Sequence, residues 1–377
     1  MALHSHLLTR NPAMNDRLTI RAVRARPVLV PFRRPPAAAT GAMPMASLVL
    51  IDLETEEGIT GRSYVFAFMP AVLKPLTDLL SGLAPMIRGD AVAPLDLDAK
   101  LRRRLTLIDT PGVMGLALAG LDMCAWDALA KARGVPLAVL LGGSVRPIRA
   151  YNSCGLWIQP VEGVADEAEA LVAEGDFSAV KLRLGRDDPA EDLAAVRAVR
   201  SRLGDRAAVM SDFNQKLTWN EAILRGRLLD DEGLAWIEEP VRHNDFSGSA
   251  RVAEALRTPV QTGENLVSSH ELLQALQACA MDYVMPDVQR IGGVTGWMRA
   301  AALAHAFGME MSSHLFPEFS AHLLAATPTA HWLEYVDWAN PVLQEPLRIE
   351  KGCALIPNRP GAGIDWNEEA VGRYLVT

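Results

Sequence analysis

Seven positions in the second half of the chain carry side chains that could move protons or hold a cation. They are Arg183, Asp212, Glu238, Glu264, Asp287, His314 and Glu334, separated by 29, 26, 26, 23, 27 and 20 residues. Each follows a short apolar run, so each stands at the exit of a predicted strand. One ionisable residue at a strand exit is commonplace, but seven in phase point to a shared mouth. Ser153, Lys181 and Asn214 fall at the same strand ends.

Asp212, Glu238 and Glu264 leave successive strands, and three like charges brought together repel unless a cation sits among them. A donor set of oxygens alone selects a hard ion, and Mg2+ fits it with positions left open for water or substrate. Asp287 and His314 follow the next two strands. A carboxylate bonded to one imidazole nitrogen fixes the tautomer and leaves the other nitrogen as a base. Glu334, kept protonated, could donate a hydrogen bond to developing charge, while Lys181 adds fixed positive charge. These parts suit removal of a proton next to a carboxylate, a weak carbon acid whose dianionic product needs such stabilisation.

Eight predicted strands position this set, near Tyr151, Ala179–Leu182, Ala208–Ser211, Ala235–Ile237, Val260–Gln261, Tyr283–Met285, Met309–Met311 and Leu333. Helical patterns lie between them, among them Asp188–Leu203, Asn220–Asp231, Ser269–Ala278 and Val294–Phe307. Strands alternating with helices at this spacing specify an α/β fold, a parallel (β/α) TIM barrel whose strand ends converge on one site. Gly292-Gly293 reads as a tight turn into a helix. The earlier part of the chain differs. Strands are expected over Leu18–Val30, Leu48–Leu53 and Arg62–Phe66, and helices over Ala71–Met86 and Val113–Arg133. Between the first two strands, Pro31–Ser47 is rich in Pro, Ala and Gly, which marks a lid. The organisation expected is a loose extension over 1–17, an α+β capping domain over 18–145, a catalytic barrel over 146–345, and a segment over 346–377 that packs back on the cap and completes it.

Composition narrows the class. Of 377 residues, 50% are hydrophobic and 22% charged, with a net charge of −8. This is globular and mildly acidic, which argues against nucleic acid or an anionic membrane as partner. No apolar run of membrane-spanning length is read. The four cysteines at 124, 154, 279 and 353 form no C-x-x-C pair. No secretory signal pattern is seen, so the cytoplasm is the expected compartment.

From Leu18 to Val376 the chain resembles the enolase superfamily, mandelate racemase subgroup. The stretches that carry the resemblance are L-V-L-I-D-L at 48–53, W-I-E-E-P at 236–240, I-G-G-V-T-G-W at 291–297, M-S-S-H-L-F at 311–316 and S-A-H-L-L-A-A-T-P-T-A-H-W-L-E at 320–334. The resemblance implies an α+β cap on a modified (β/α) barrel, with Mg2+ on Asp212, Glu238 and Glu264. It implies an Asp287–His314 base for one face of the α-carbon. Lys181 and Ser153 would meet the substrate carboxylate, Asn214 its hydroxyl, and Glu334 would serve as the electrophilic acid. It also implies a homo-oligomer, an octamer or smaller.

One position departs from that pattern. The subgroup's Lys-x-Lys, whose second Lys serves the opposite face, is here Lys181-Leu182-Arg183. Arginine is normally protonated, and holding it neutral at pH 7 costs about 7–8 kcal/mol. A site with one base suits β-elimination from an acid sugar. The lid argues the other way: Pro35, Pro36, Ala37, Ala38, Ala39, Met43 and Met45, with Phe66 and Phe68 nearby and Leu315 and Val336 beside the catalytic strand ends, suit an apolar side chain. Arg33 and Arg34 could meet a distal carboxylate or simply face solvent at the hinge. The first expectation is therefore Mg2+-dependent α-proton abstraction from a 2-hydroxy carboxylate with mandelate-like racemisation. An acid-sugar dehydratase using His314 alone comes second, and a catalytically weakened metal-binding protein third.

Overall fold

The structure is a computed structural model of the chain, and it describes residues 17–38, 41–108 and 110–376. Apart from Arg17, the expected N-terminal extension lies outside the described residues, as do Ala39 of the lid and Thr377. The chain opens with β1 (Ile20–Pro31), the short pair β2 (Ala37–Ala38) and β3 (Gly41–Ala42), then β4 (Met45–Thr55) and β5 (Thr60–Phe66). Strands β1, β4 and β5 form an antiparallel sheet in that order. Helices α1 (Pro70–Ile87), α2 (Pro94–Arg104), α3 (Val113–Ala132) and α4 (Leu137–Leu140) follow. The stretch expected to be a lid thus carries a short pair of strands. Its β2–β3 hairpin is fixed to the barrel by the Ile158 amide, which donates to the Ala37 carbonyl at 2.8 Å.

Among the described residues one helix, α3, is long and apolar enough to cross a membrane, with a mean hydropathy of 1.4 over its best window. The sequence reading found no such run because Asp122 and Asp127 interrupt it. Both are buried here with partners. Asp122 accepts from the amide and hydroxyl of Thr295 at 2.9 and 2.5 Å, and Asp127 from the amides of Arg62 and Ala362 at 2.8 and 2.7 Å. They join α3 to the barrel, to the cap sheet and to the C-terminal segment.

The second half alternates as expected: β6 (Pro147–Asn152), α5 (Val161–Ala173), β7 (Ala179–Arg183), α6 (Pro189–Leu203), β8 (Ala208–Asp212), α7 (Trp219–Leu229), β9 (Ile237–Glu238), α8 (Phe246–Ala255), β10 (Val260–Thr262), α9 (Ser269–Gln277), β11 (Tyr283–Val284), α10 (Gly293–Ala306), α11 (Pro317–Ala325) and β12 (Leu333–Tyr335). Parallel pairing runs β6-β7-β8-β9-β10-β11, and β12 pairs with β6. The expected strand at Met309–Met311 is a correction. That stave holds on only through isolated bridges, Val284 to Met311, Asp287 to His314 and Met311 to Ala330. Helices α2, α5, α8 and α11 escape the sequence reading. In α11 eight of nine residues are buried, so no polar face marks its period. Where helices were read, caps mark the starts: Asp188, Thr218 and Ser268 each accept an amide of the first turn.

Alternation along the barrel strands separates two environments. Val180, Leu182, Val209, Ile237 and Val260 pack outward in one apolar cluster, while Tyr151, Ala179, Met210, Trp236 and Trp332 fill the barrel interior in another. Lys181, Arg183, Asp212 and Glu238 continue the interior rows to the C-terminal mouth.

The C-terminal part has two contacts. Strands β13 (Arg348–Glu350) and β14 (Cys353–Leu355) form a hairpin whose β14 pairs antiparallel with β6. Trp366 then donates to Asp52 at 2.7 Å, and α12 (Glu368–Tyr374) brings Glu368 to Arg26 at 2.5 Å. Arg26 and Asp52 belong to the cap sheet, so the end of the chain bonds to both parts.

His322 gives the fold a pH dependence. Its Nδ1 accepts the Ala138 amide at 3.1 Å, tying α11 to α4, and burial pushes its pKa down to about 4. The folded state refuses a proton that the unfolded chain takes below its ordinary pKa near 6.5. This contribution is complete above pH ~6.5 and shrinks by about 3 kcal/mol as the pH falls to 4. Urea unfolding of the wild type and His322→Asn at pH 7.0 and 4.5 should show a smaller pH penalty in the variant.

Candidate active site

The seven strand-exit residues meet at one end of the barrel. Single carboxylate oxygens of Asp212, Glu238 and Glu264 all lie within 4.8 Å of one another. Asp212 ends β8, where Asn214 donates to it twice, through its amide at 2.7 Å and its Nδ2 at 3.0 Å. Glu238 ends β9 and accepts Trp236 Nε1 at 3.0 Å and Lys181 Nζ at 2.5 Å. Glu264 follows Gly263, whose φ is +136° and where an added Cβ would sit 3.1 Å from the Met285 backbone. Only glycine lets β10 turn here and deliver Glu264 beside the other two. Gly263→Ala is expected to cost about 1–3 kcal/mol of stability, measured by urea unfolding, and to weaken cation binding.

The charges do not balance within the protein. Asp212, Glu238, Glu239, Glu264, Asp287 and Glu334 gather around Lys181, Arg183 and His314. Burial pushes Glu238 up and Lys181 pulls it down; with repulsion from Asp212, Glu264 and Glu334 its pKa comes to about 8. Burial, followed by repulsion from Glu264, raises Glu239 well above the usual carboxylate range. Glu264 Oε2 is buried without a hydrogen-bond partner among the described residues. Three converging carboxylates, an orphaned oxygen and an excess of negative charge fit a hard divalent cation.

His314 stands beside that group. Its Nδ1 lies 2.7 Å from Asp287 Oδ2, so the neutral ring carries its proton there and offers Nε2, which is 3.3 Å from Glu264 Oε2 and 3.9 Å from Glu334 Oε2. The other oxygen of Asp287 accepts the Gln289 amide at 2.7 Å, which locks the dyad in place. Burial opposes charge on the ring, but Glu264, Glu334 and Asp287 outweigh it and raise its pKa to about 10. A cation among the three carboxylates would cancel much of that field and return the ring toward the range of a base.

Glu334 differs from expectation. It accepts Ser153 Oγ at 2.7 Å and the Leu315 amide at 2.9 Å, and Lys181 Nζ lies 2.7 Å away. Burial raises its pKa, but Lys181, His314 and Arg183 outweigh it and hold the carboxyl below the usual range. Its contacts are donors, so Glu334 stands here as an ionised acceptor and not as the protonated acid expected. Lys181 touches Glu238 and Glu334 and lies 3.5 Å from Asp212. Burial disfavours its charge, but these carboxylates raise its pKa above the ordinary lysine value.

Arg183 is held on several sides. Its guanidinium stacks on Trp157, 4.1 Å from the ring centroid, donates to Ser153 Oγ at 3.0 Å, and lies 3.8 and 3.9 Å from Asp212 and Glu334. Arg33 and Arg34 both bond Glu174, at 2.6 and 2.5 Å, and tie the segment after β1 to the end of α5. Met43 and Phe68 pack half-buried against the apolar cluster that holds Leu315 and Val336. Sequence reading missed Trp157, Glu239 and its partner Asn265, which donates to Glu239 at 2.8 Å. Strand alternation turns Glu239 away from the mouth; its φ of +37° turns it back. Positive φ also occurs at Asn214 (+44°), Gln215 (+64°), Leu315 (+50°) and Phe316 (+47°), a concentration of strain typical of a working site.

A cap over a parallel barrel, with three strand-end carboxylates facing a His–Asp dyad, defines an enolase-superfamily enzyme. The sequence agrees: residues 20–142 match the mandelate racemase / muconate lactonizing enzyme N-terminal domain, and 163–370 match the enolase C-terminal domain-like family. The chain belongs to the mandelate racemase / muconate lactonizing enzyme family. It is 35% identical to an L-talarate/galactarate dehydratase of Salmonella typhimurium, over 86% of this chain and 81% of that one. An enolase from alpha proteobacterium BAL199 with bound magnesium shares 47% identity at a TM-score of 0.93, covering 95% of this chain and 100% of that one. An enolase from Bradyrhizobium, complexed with magnesium and mandelic acid, shares 41% at 0.92, covering 96% and 99%.

Proposed function

We propose that the enzyme is an acid-sugar dehydratase that removes the α-proton of a 2,3-dihydroxy carboxylate with His314 as its single base. The observation that carries this reading is Arg183, clamped by Trp157 and Ser153 where a two-base racemase of this subgroup has lysine. A guanidinium that donates to Ser153 and sits near two carboxylates is a fixed cation, poorly placed to accept a proton. Buried polar atoms without hydrogen-bond partners among the described residues also favour a polyhydroxy substrate. Trp157 Nε1, Arg183 Nε, Asn214 Oδ1 and Gln289 Nε2 are such atoms on β7 or the turns that follow the strands. The Salmonella relative is a dehydratase.

Asp212, Glu238 and Glu264 would hold Mg2+, which supplies Lewis-acid stabilisation of the substrate carboxylate as charge develops on it. Lys181 and Arg183 place fixed positive charge beside the same group, and Ser153 adds a hydroxyl. His314 Nε2 takes the C2 proton while Asp287 retains the proton on Nδ1. The electron pair from the C2–H bond forms a C2–C3 double bond as the C3–O bond breaks. The proton on Nε2 passes to the departing hydroxyl, giving water. The enol left behind tautomerises to the 2-keto acid.

Racemisation of a mandelate-like acid, expected first from the lid, becomes the second reading. Its support is the apolar character of the expected lining residues Met43, Phe68, Leu315 and Val336 and the mandelic acid in the Bradyrhizobium enzyme. Incubation of sugar acids and aryl hydroxy acids in D2O with Mg2+ separates the two. Dehydration predicts a 2-keto product that carries solvent deuterium at C3, formed from one C2 configuration only. Exchange from both configurations of an aryl acid, with no keto product from any sugar acid, would establish racemisation. Neither exchange nor a keto product with any acid would leave the weakened metal-binding protein. The reading includes a homo-oligomer, measured by sedimentation.

A further inference from the structure

A second cavity lies between the cap and the barrel, beside the catalytic mouth. It measures about 220 Å³ and is lined by Phe68, Val72, Val113 and Leu116 of the cap and by Val267 and Arg290 of the barrel. Among the described residues its wall is apolar except for Arg290. The Arg290 guanidinium lies over the Phe68 ring, 4.6 Å from the centroid, and makes no hydrogen bond or ion pair among the described residues. Glu271, in the first turn of α9, accepts the Val267 amide at 2.8 Å. Phe68 is held at φ +62°, an uncommon conformation for an aromatic residue. The proposed mechanism uses neither Arg290 nor this cavity.

An apolar cavity with a single unpaired cation in its wall complements an amphipathic anion. Its size sets the scale of that anion, since a cavity of roughly 150 Å³ takes up benzene. We propose that this cavity is a binding site for a small apolar carboxylate, with Arg290 taking the carboxylate and Val72, Val113, Leu116 and Val267 enclosing an aryl or alkyl group. The ring would lie near Phe68, and the carboxylate would satisfy the guanidinium on the side that Phe68 leaves open. The site also touches the catalytic machinery through one residue. The amide of Arg290 approaches Asp287 Oδ1 at 3.3 Å, on the carboxylate that orients His314. The inference stands whichever reaction the catalytic mouth performs.

The test is a titration of the Mg2+-loaded protein with 4-fluorobenzoate followed by 19F NMR, repeated after addition of EDTA. Saturable binding that survives EDTA is expected, because Arg290 and not the cation holds the carboxylate. Arg290→Gln should weaken it roughly tenfold or more, and Val72→Trp, which fills the cavity from its half-exposed side, should do the same. Fluorobenzene should bind the wild type more weakly than fluorobenzoate. Wild-type affinity in both variants, or no saturable binding, would overturn the proposal. Binding that requires Mg2+ and is displaced by a hydroxy acid would place the ligand in the catalytic mouth and overturn it too. So would a Val72→Trp variant that changes sedimentation yet binds normally, since the cavity would then be a subunit contact.

Discussion

His314→Asn is expected to lower kcat by roughly 10²–10⁴-fold while leaving KM within a few fold. The ring stands with Nδ1 on Asp287 at 2.7 Å and Nε2 toward Glu264 and Glu334, so one nitrogen is spoken for and the other is the only basic atom of the imidazole. Asparagine keeps a polar group but cannot accept and return a proton. Loss of deuterium incorporation, at C3 of a keto product or at the α-carbon of a racemised acid, must accompany loss of product if His314 performs the first step. Asp287→Asn should act through the ring, reducing kcat by misdirecting the tautomer while His314 stays in place. Turnover of the identified substrate by His314→Asn at the wild-type rate would remove His314 as the base in either reading of the reaction.

Glu264→Gln is expected to reduce Mg2+ affinity by at least about 100-fold, beyond what loss of an outer-shell partner costs. Titration calorimetry measures it. The same change should move stability in opposite directions with and without the cation. Glu264 is one of the charges that repel Glu238 and Glu239 in the protein alone, and its Oε2 has no hydrogen-bond partner among the described residues. Removing its charge should raise the melting temperature of the EDTA-treated protein. The wild type should instead gain from Mg2+, by about 2.7 kcal/mol at a hundredfold excess over Kd, and the variant should lose that gain. A variant that is less stable in EDTA and still stabilised by Mg2+ would show that Glu264 is structural and not a ligand.

These outcomes rest on a site whose members were largely legible in the sequence. Asp212, Glu238, Glu264, Asp287, His314 and Glu334 were found by phase alone, because a barrel repeats one strand and one helix per unit and the strand exit is the place where a polar side chain escapes the packed interior. The breaks in the pattern were harder. Met309–Met311 has the composition of a strand, yet it pairs only through isolated bridges. Helix α11 is buried nearly all round and so carries no amphipathic stripe. Glu239 looks like a residue turned outward until its backbone adopts φ +37°. In each case the deciding term is packing or backbone strain set by distant parts of the chain, which local composition does not encode.

By itself the sequence determined the architecture and the roster of chemical groups: alternation at period two set Lys181 and Arg183 on the same side of β7, and the spacing of the strand exits set the acidic residues and His314 at one mouth. Only the tertiary structure decided what those groups do to one another. It put Lys181 on Glu238 and Glu334, stacked Arg183 on Trp157, and surrounded Glu334 with donors that keep it ionised. It also tied Arg33 and Arg34 to Glu174 and set Arg290 over Phe68 with no ion pair among the described residues. The reason is physical. Whether a buried group holds charge, donates or accepts depends on distances of a few ångströms between residues far apart in sequence, where electrostatic energy changes steeply.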